Sequence, residues 1–277
     1  MKNYKNLSFR VDDHIGLLTL DRPEVMNALN RELTLEFHEL LDELPGKFPE
    51  IRVLVITGNG KAFCSGADLS RMGASGSENR RNRDRSDQSR RRIQELAPAI
   101  RNLPQPVVSA INGAAVGAGL SIALATDIRI ATEKARFSAI FVKRGLVPDT
   151  AASATIKAIA GHGIAAEMSL TGKIYDAEWA LSKGLVNEGV GPASLLDKCM
   201  EVAREIAANP PLAVRQTKQL LRVRMEDWHQ IISDEIRLEK CFMTLKIKKK
   251  RLELFWKKES LNIWVNNVKT KYIGHIY

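Results

Sequence analysis

Cysteine is scarce in this chain. Cys64, Cys199 and Cys241 are three in 277 residues, too few and too scattered for a disulfide framework or a thiolate metal site. The five histidines show no ligand spacing. The opening residues, Met1-Lys2-Asn3-Tyr4-Lys5, lack the apolar region of a secretory signal, so a reducing cytoplasm is the expected compartment. Charge is missing altogether from Asn102 to Thr126. A membrane-spanning helix needs about 20 unbroken apolar residues. Pro104, Pro106 and Asn112-Gly113 interrupt this stretch, which reads instead as a buried strand, a turn and a buried helix. Apolar side chains are nearly absent from residues 71–92, which hold eight arginines and three acids and read as a solvated loop. The net charge of +10 is uneven, because residues 246–277 carry nine Lys or Arg against two Glu. The pattern is a near-neutral domain with a basic tail, not a globally basic chain shaped for DNA.

What remains alternates between two periodicities. Phe9 to Leu20 reads as strand with a turn near Asp12-Asp13. Asn30 is placed to cap a helix from Arg31 to about Leu44, with Leu33, Phe37, Leu40, Leu41 and Leu44 on one face and Pro45-Gly46 closing it. Arg52 to Thr57 is a short apolar run of the kind covered on both faces. Ile93 to Leu103 is helical, Pro106 to Ile111 a strand, and Ala118 to Ala125 a small-residue helix. Asp127–Ala131 and Arg136–Ser138 are short strands. A helix from Thr150 stops near Gly161, Asp176–Ser182 forms another, and Leu185–Val190 is a strand. From Ala193 the pattern is helical, broken at Asn209-Pro210-Pro211 and near Val223. Strands alternating with helices, followed by helices alone, predict an α/β fold with a helical C-terminal region.

Two runs of small residues follow apolar strands. One is Ala62-Phe63-Cys64-Ser65-Gly66-Ala67-Asp68-Leu69, and the other is Asn112-Gly113-Ala114-Ala115-Val116-Gly117-Ala118-Gly119. Small side chains at strand ends leave backbone N–H groups open to a ligand. Two such turns brought together would hold one carbonyl oxygen as negative charge develops on it, which is what enolate chemistry on a thioester requires. Ala118 opens a helix, where unpaired N–H groups and the helix dipole favour an anion. Taken singly, each turn is better explained by tight packing of strand on helix; together, with matching flanks, the two favour function.

In order along the chain, Leu20-Asp21-Arg22-Pro23, Asn27-Ala28-Leu29, the two small-residue turns, Ala125-Thr126-Asp127, Gly145-Leu146-Val147-Pro148-Asp149, Thr171-Gly172 and Gly184-Leu185-Val186 together resemble the crotonase, or enoyl-CoA hydratase/isomerase, superfamily. The likeness runs from about Ile15 to Leu245. It implies a spiral of ββα turns over residues 1–191, a helical region over 192–245, and assembly as trimers or paired trimers. It implies an acyl-CoA thioester as substrate, with CoA part of that substrate and no metal or redox cofactor. By position, the amides of Ala67 and Ala118 match the family's oxyanion pair. Val25, Ala62, Asp68 and Leu69 match the path of the CoA moiety, and Ser121 and Phe141 stand against the acyl group.

The family's hydratases use two glutamates, and the matching positions here are Ser121 and Phe141, neither of which moves a proton as a carboxylate does. Asp149 is the available acid, at a position where some isomerases of the family carry theirs. One carboxylate suffices to shift a double bond, and such a base works best when burial raises its pKa; Phe141, Val142 and Val147 are candidates for the apolar wall. The bland alternative for Asp149 is a helix N-cap before Thr150. Hydratase, hydrolase or dehydratase chemistry on the same platform stays open. So does a different class, an RNA-binding protein using the arginine-rich loop and the basic tail, although that loop has no aromatic stacking motif. Arg22 is either a phosphate contact or a surface arginine. Residues 246–277 depart from the family pattern and contain no alanine.

Overall fold

The structure is a computed structural model and describes residues 2–68, 92–222, 232–233 and 236–237. The chain divides into a compact unit over residues 1–235 and a second over 236–277. Of the second, only residues 236–237 are described. Leu69, the arginine-rich segment, the expected break near Val223 and the basic tail therefore lie outside the described residues.

Among the described residues of the first unit, ten strands form two sheets. The larger has six strands in the order β1-β2-β3-β5-β7-β10, which are Leu7–Asp12, Ile15–Leu20, Val53–Gly58, Val107–Ile111, Ile128–Thr132 and Glu188–Val190. The smaller has four in the order β4-β6-β8-β9, which are Ala62–Cys64, Ala114–Val116, Arg136–Ser138 and Tyr175–Asp176. Each of β3, β5 and β7 in the large sheet is followed within a few residues by β4, β6 or β8 in the small one. Neighbours in these rising turns pair in parallel; β1 with β2 and β8 with β9 are antiparallel. This is a spiral of ββα turns, as the resemblance implies.

Seven helices are described: α1 Arg31–Glu43, α2 Ile93–Asn102, α3 Ala118–Ala125, α4 Ala152–Thr171, α5 Ala177–Ser182, α6 Leu195–Ala207 and α7 Pro211–Arg222. Asn30 caps α1, its side-chain oxygen accepting the Leu33 amide at 2.8 Å, which satisfies one of the donors that every helix start leaves open. The apolar run of β3 is buried on both faces. Leu54 and Ile56 join the main core with Leu18, Leu20, Phe37, Phe63 and Phe137. Val53 and Val55 face the other way with Ile15, Leu17, Val108 and Ile130, under Leu195, Cys199, Ala203 and Ala207 of α6. The four-residue spacing on α6 sets one stripe along the sheet. The uncharged stretch 102–126 forms β5, β6 and α3, and no helix among the described residues is long and apolar enough to cross a membrane.

Two asparagines lock the link between the sheets. Asn27 Nδ2 donates to the carbonyls of Asn59 and Ala62, and its oxygen accepts the Arg22 amide. Asn112 Nδ2 donates to Gly60 and Ala62, and its oxygen accepts the Gly58 amide. A second anchor ties α7 to the large sheet. Lys218 Nζ sits 2.7 Å from Asp127 Oδ2 and donates to the Gln105 carbonyl, while Asp127 also accepts the Val107 amide.

Two expectations shift. The helix after Asp149 starts at Ala152 instead of Thr150; its expected stop near Gly161 is met by non-helical backbone there (φ 82°, ψ 169°), beyond which a second helical run continues to Thr171. Thr150 and Ala151 take left-handed φ of 55° and 60°, which a helix start cannot accommodate. The strand expected over 185–190 is only Glu188–Val190. Leu185 and Asn187 are drawn instead to Arg129, whose Nε donates to the Leu185 carbonyl and whose amide bonds the Asn187 side chain. Burial, and then the charge of Arg101, push the Arg129 guanidinium down to about 10.

Candidate active site

The two small-residue turns meet. β4 pairs in parallel with β6, so the segments leaving both strands run side by side. The first, at Gly66, has φ of +94°, and a Cβ there would lie 2.8 Å from the Val116 carbonyl and 3.4 Å from the Ala118 nitrogen. Only a residue without a side chain allows this approach. On its far side the same segment bridges to Leu29: the Leu29 amide bonds the Gly66 carbonyl and the Asp68 amide bonds the Leu29 carbonyl. In a parallel bridge of this register, the amide of the residue between, Ala67, points to the edge opposite Leu29. Ala67 is exposed.

Ala118 is the first residue of α3. Gly117, with φ of 57° and ψ of −124°, caps the helix, and the first intrahelical bond is from the Ser121 amide to the Gly117 carbonyl. The amides of Ala118, Gly119 and Leu120 are therefore the open donors of the helix start. The start is pressed onto β4, because a Cβ on Gly119 would lie 2.1 Å from the Cys64 carbonyl oxygen. The Cys64 thiol is fully buried, and that burial pushes its pKa up to about 12. It is a neutral packing group here, not a nucleophile.

Asp149 is half-buried at the end of the loop before α4. Its Oδ1 accepts from Thr150 Oγ1 at 3.0 Å, and its Oδ2 accepts from Gln94 Nε2 at 3.4 Å. The cap position is Ala151, and it is the Asp149 carbonyl that accepts the Ala152 amide. Ser121 is fully buried, with Oγ 3.3 Å from both the Gly117 and the Asp149 carbonyls. It thus ties the start of α3 to the backbone of Asp149. Phe141 is buried in the 3-10 turn Ile140–Arg144, its ring 4.0 Å from where a Cβ on Gly117 would stand.

The other residues singled out from the sequence fall as follows. Val25 is exposed in the short turn Pro23–Val25 beside Ser65, whose hydroxyl donates to the Val25 carbonyl. Ala62 is buried, and its carbonyl takes both asparagine amides. Asp68 pairs with Arg22 at 3.2 Å, and Arg22 also donates to the Ala28 carbonyl. Arg22 is thus turned inward, neither a surface arginine nor aimed outward at a phosphate. Gln94 was not foreseen, since nothing in a helical pattern near an arginine-rich run marks one glutamine for a carboxylate 55 positions away.

Comparison with known proteins agrees with this geometry. Residues 10–267 match the family model for Enoyl-CoA hydratase/isomerase. The chain belongs to the enoyl-CoA hydratase/isomerase family. It is 38% identical over 208 residues to an enoyl-CoA hydratase of Alternaria alternata, covering 73% of this chain and 68% of that one. It is 34% identical over 231 residues to the peroxisomal Delta(3,5)-Delta(2,4)-dienoyl-CoA isomerase of Arabidopsis thaliana, covering 80% and 83%. The crystal structure of an enoyl-CoA hydratase/isomerase from Pseudoalteromonas atlantica superposes with a TM-score of 0.81 at 31% identity, over 92% of this chain and 98% of that one. Hydratases and an isomerase both appear among these relatives, so membership in the crotonase superfamily does not by itself choose the reaction. None of these proteins is described as binding RNA, and the RNA-binding alternative has no support from them.

Proposed function

We propose that this chain is an enoyl-CoA isomerase that moves a double bond along an acyl-CoA thioester, with Asp149 as its acid–base group. The amides of Ala67 and Ala118 receive the thioester oxygen. Asp149 removes a proton from C2 of a 3-enoyl-CoA, and the electrons of that C–H bond pass into a dienolate whose oxygen the two amides hold. The protonated carboxyl then returns the proton to C4, leaving the 2-enoyl product. The step is redox-neutral. A donor aimed at the oxyanion is worth roughly 3 kcal/mol in the barrier, and the positioned base a further 10²- to 10⁴-fold, roughly. The exposed Val25 and the segment through Ala67 and Asp68 form the edge along which CoA lies. Phe141 and Ser121 close the acyl end.

The observation that carries this choice is the pairing of buried Ser121 and Phe141, at the places where the family's hydratases hold glutamates, with an Asp149 whose backbone carbonyl is tied to the same helix as Ala118. Syn addition of water asks for one group to activate water and another to protonate carbon; a double-bond shift asks for one. The test is to supply 3-enoyl-CoA and 2-enoyl-CoA separately and to follow bond migration, hydration and CoA release together. Migration is the expected activity, falling at least about 100-fold in Asp149→Asn with the fold intact. Hydration or CoA release as the main activity, or full migration by that variant, would overturn the assignment.

A further inference from the structure

The segment that carries the Ala67 amide lies just past the end of β4 at Cys64 and is tied to the loop over residues 25–29 by individual hydrogen bonds. The Ser65 amide donates to the Met26 carbonyl at 3.0 Å, and the Ser65 hydroxyl to the Val25 carbonyl at 3.3 Å. The Leu29 amide donates to the Gly66 carbonyl at 2.8 Å, and the Asp68 amide to the Leu29 carbonyl at 3.0 Å. Ala67 is thus slung between two bonds to one residue. The position of its amide follows from where the chain at Leu29 stands and from how closely Asp68 stays on it.

One side chain joins those two places. Arg22 Nη1 donates to the Ala28 carbonyl and lies 3.2 Å from Asp68 Oδ2. A single nitrogen therefore links the residue before Leu29 to the residue after Ala67. The backbone of Arg22 is itself fixed: its amide donates to Asn27 Oδ1 and its carbonyl accepts the Asn27 amide, both at 2.9 Å. Asn27 is fully buried and donates in turn to the Ala62 carbonyl of β4. The guanidinium is thereby referenced to the strand from which the Ala67 segment departs. The Arg22 and Asp68 side chains are 14% and 15% exposed, so water competes little for their contact, and removing one partner leaves the other poorly solvated. A misplacement of about 1 Å costs roughly 100-fold in rate, so a staple that restrains the segment by a fraction of that distance has a measurable share in kcat.

We propose that Arg22 is a positioning residue: its guanidinium, set between the Ala28 carbonyl and the Asp68 carboxylate, fixes the Ala67 amide where the thioester oxygen is held. This rests on Ala67 being one of the oxyanion pair. The cradle serves any thioester enolate, so the test follows the main activity of the wild-type protein, migration or hydration. Two substrates are compared, the CoA thioester and the pantetheine thioester of the same acyl chain, which lacks the nucleotide and its phosphates. Arg22→Met is expected to lower kcat about 10-fold on both, with KM within about twofold. Arg22→Lys keeps a cation on a shorter stem and is expected to fall between, which covers the case in which the methionine variant does not fold. In an Asp68→Asn background, Arg22→Met is expected to cost less than half of that factor, because the two residues act through one contact. A phosphate contact would instead raise KM on the CoA thioester alone. A pair that serves only the fold would lower the thermal midpoint and leave kcat of the folded protein unchanged. Either result, or a loss that fully multiplies that of Asp68→Asn, would overturn the proposal. Wild-type kcat in both Arg22 variants beside a loss in Gly66→Ala would remove this proposal alone, and wild-type kcat in Gly66→Ala would remove the oxyanion pair with it.

Discussion

Gly66→Ala is the sharpest test of the anion site, because it leaves Ala67 and Ala118 themselves unsubstituted and acts on the spacing between them. A Cβ at this position would stand 2.8 Å from the Val116 carbonyl oxygen. Carbon–oxygen contacts are comfortable from about 3.3 Å, so the strand through Ala67 must retreat from the start of α3 by roughly half an ångström. The left-handed φ of +94° adds about 1 kcal/mol for an alanine. Lower chain entropy in the unfolded state offsets about 0.5 kcal/mol of that. The net stability loss is then about 1 kcal/mol once the contact is included, or about 2–4 °C in midpoint for a chain of this size. The effect on rate is larger. Complete loss of one oxyanion donor costs roughly 3 kcal/mol, and a half-ångström retreat forfeits most of it, about 2 kcal/mol, which is about 30-fold in kcat.

Because the donor gains strength only as charge builds on oxygen, KM is expected to change little. The assay is steady-state migration of 3-enoyl-CoA, followed by the absorbance of the conjugated product, beside a thermal melt of the same sample. Gly46→Ala is the control, since nothing lies within 4 Å of its Cβ position, and it is expected to match wild type. A folded Gly66→Ala protein within threefold of wild-type kcat would show that the two turns need not meet for the chemistry, and the oxyanion assignment would fall.

The remaining predictions concern the scaffold. Lys218→Met removes the cation from an Asp127 carboxylate that keeps the Val107 amide and is 27% exposed. Loss of a fully buried pair costs 3–5 kcal/mol, and partial exposure reduces this to about 2 kcal/mol, so the thermal midpoint should drop by about 4–8 °C. An unchanged midpoint would mean α7 is not anchored by this pair. Burial pushes Cys64 and Cys199 up to about 12, so in native protein at pH 8 both should react with a thiol reagent only as fast as the chain opens, as read by mass spectrometry of the labelled peptides. Prompt labelling of either would contradict its burial. The same shift has a sign: the folded thiols stay protonated while the unfolded ones ionise near pH 9, so stability in urea titrations should fall as pH rises from about 9 toward 12.

Much of the fold is legible in the chain because its signals are local. Asn30 before an amphipathic run, Pro45-Gly46 after it, and the apolar run of β3 each name their own structure. The small-residue turns are legible for the same reason, since glycines at 66 and 119 are needed where backbones come this close and Gly117 holds a left-handed φ. What could not be read depends on partners far away in sequence. Thr150 and Ala151 carry no glycine or asparagine signal for their left-handed angles; the surrounding loop and Ser121 impose them. Arg22 looks like any surface arginine until Asp68 is seen beside it. Leu185 has the composition of a strand, yet a buried guanidinium takes its carbonyl.

The most economical feature of the site is that one short helix serves both ends of the proposed reaction. The eight residues of α3 are all buried, so it cannot tilt without disturbing packing on every side. Its first residue offers the Ala118 amide to the thioester oxygen, and Ser121, about one turn on, holds the Asp149 carbonyl. At about 1.5 Å of rise per residue, the two functions sit roughly 4.5 Å apart along a rigid axis. One half of the proposed anion cradle and the backbone of the proposed base are thus tied to a common element. That makes the serine intelligible. A glutamate here would bring a second carboxylate into a fully buried place and would give up the hydroxyl that spans two carbonyls. At Ser121 the chain holds a tie between helix and loop, and in the proposed reaction the proton transfer falls to Asp149.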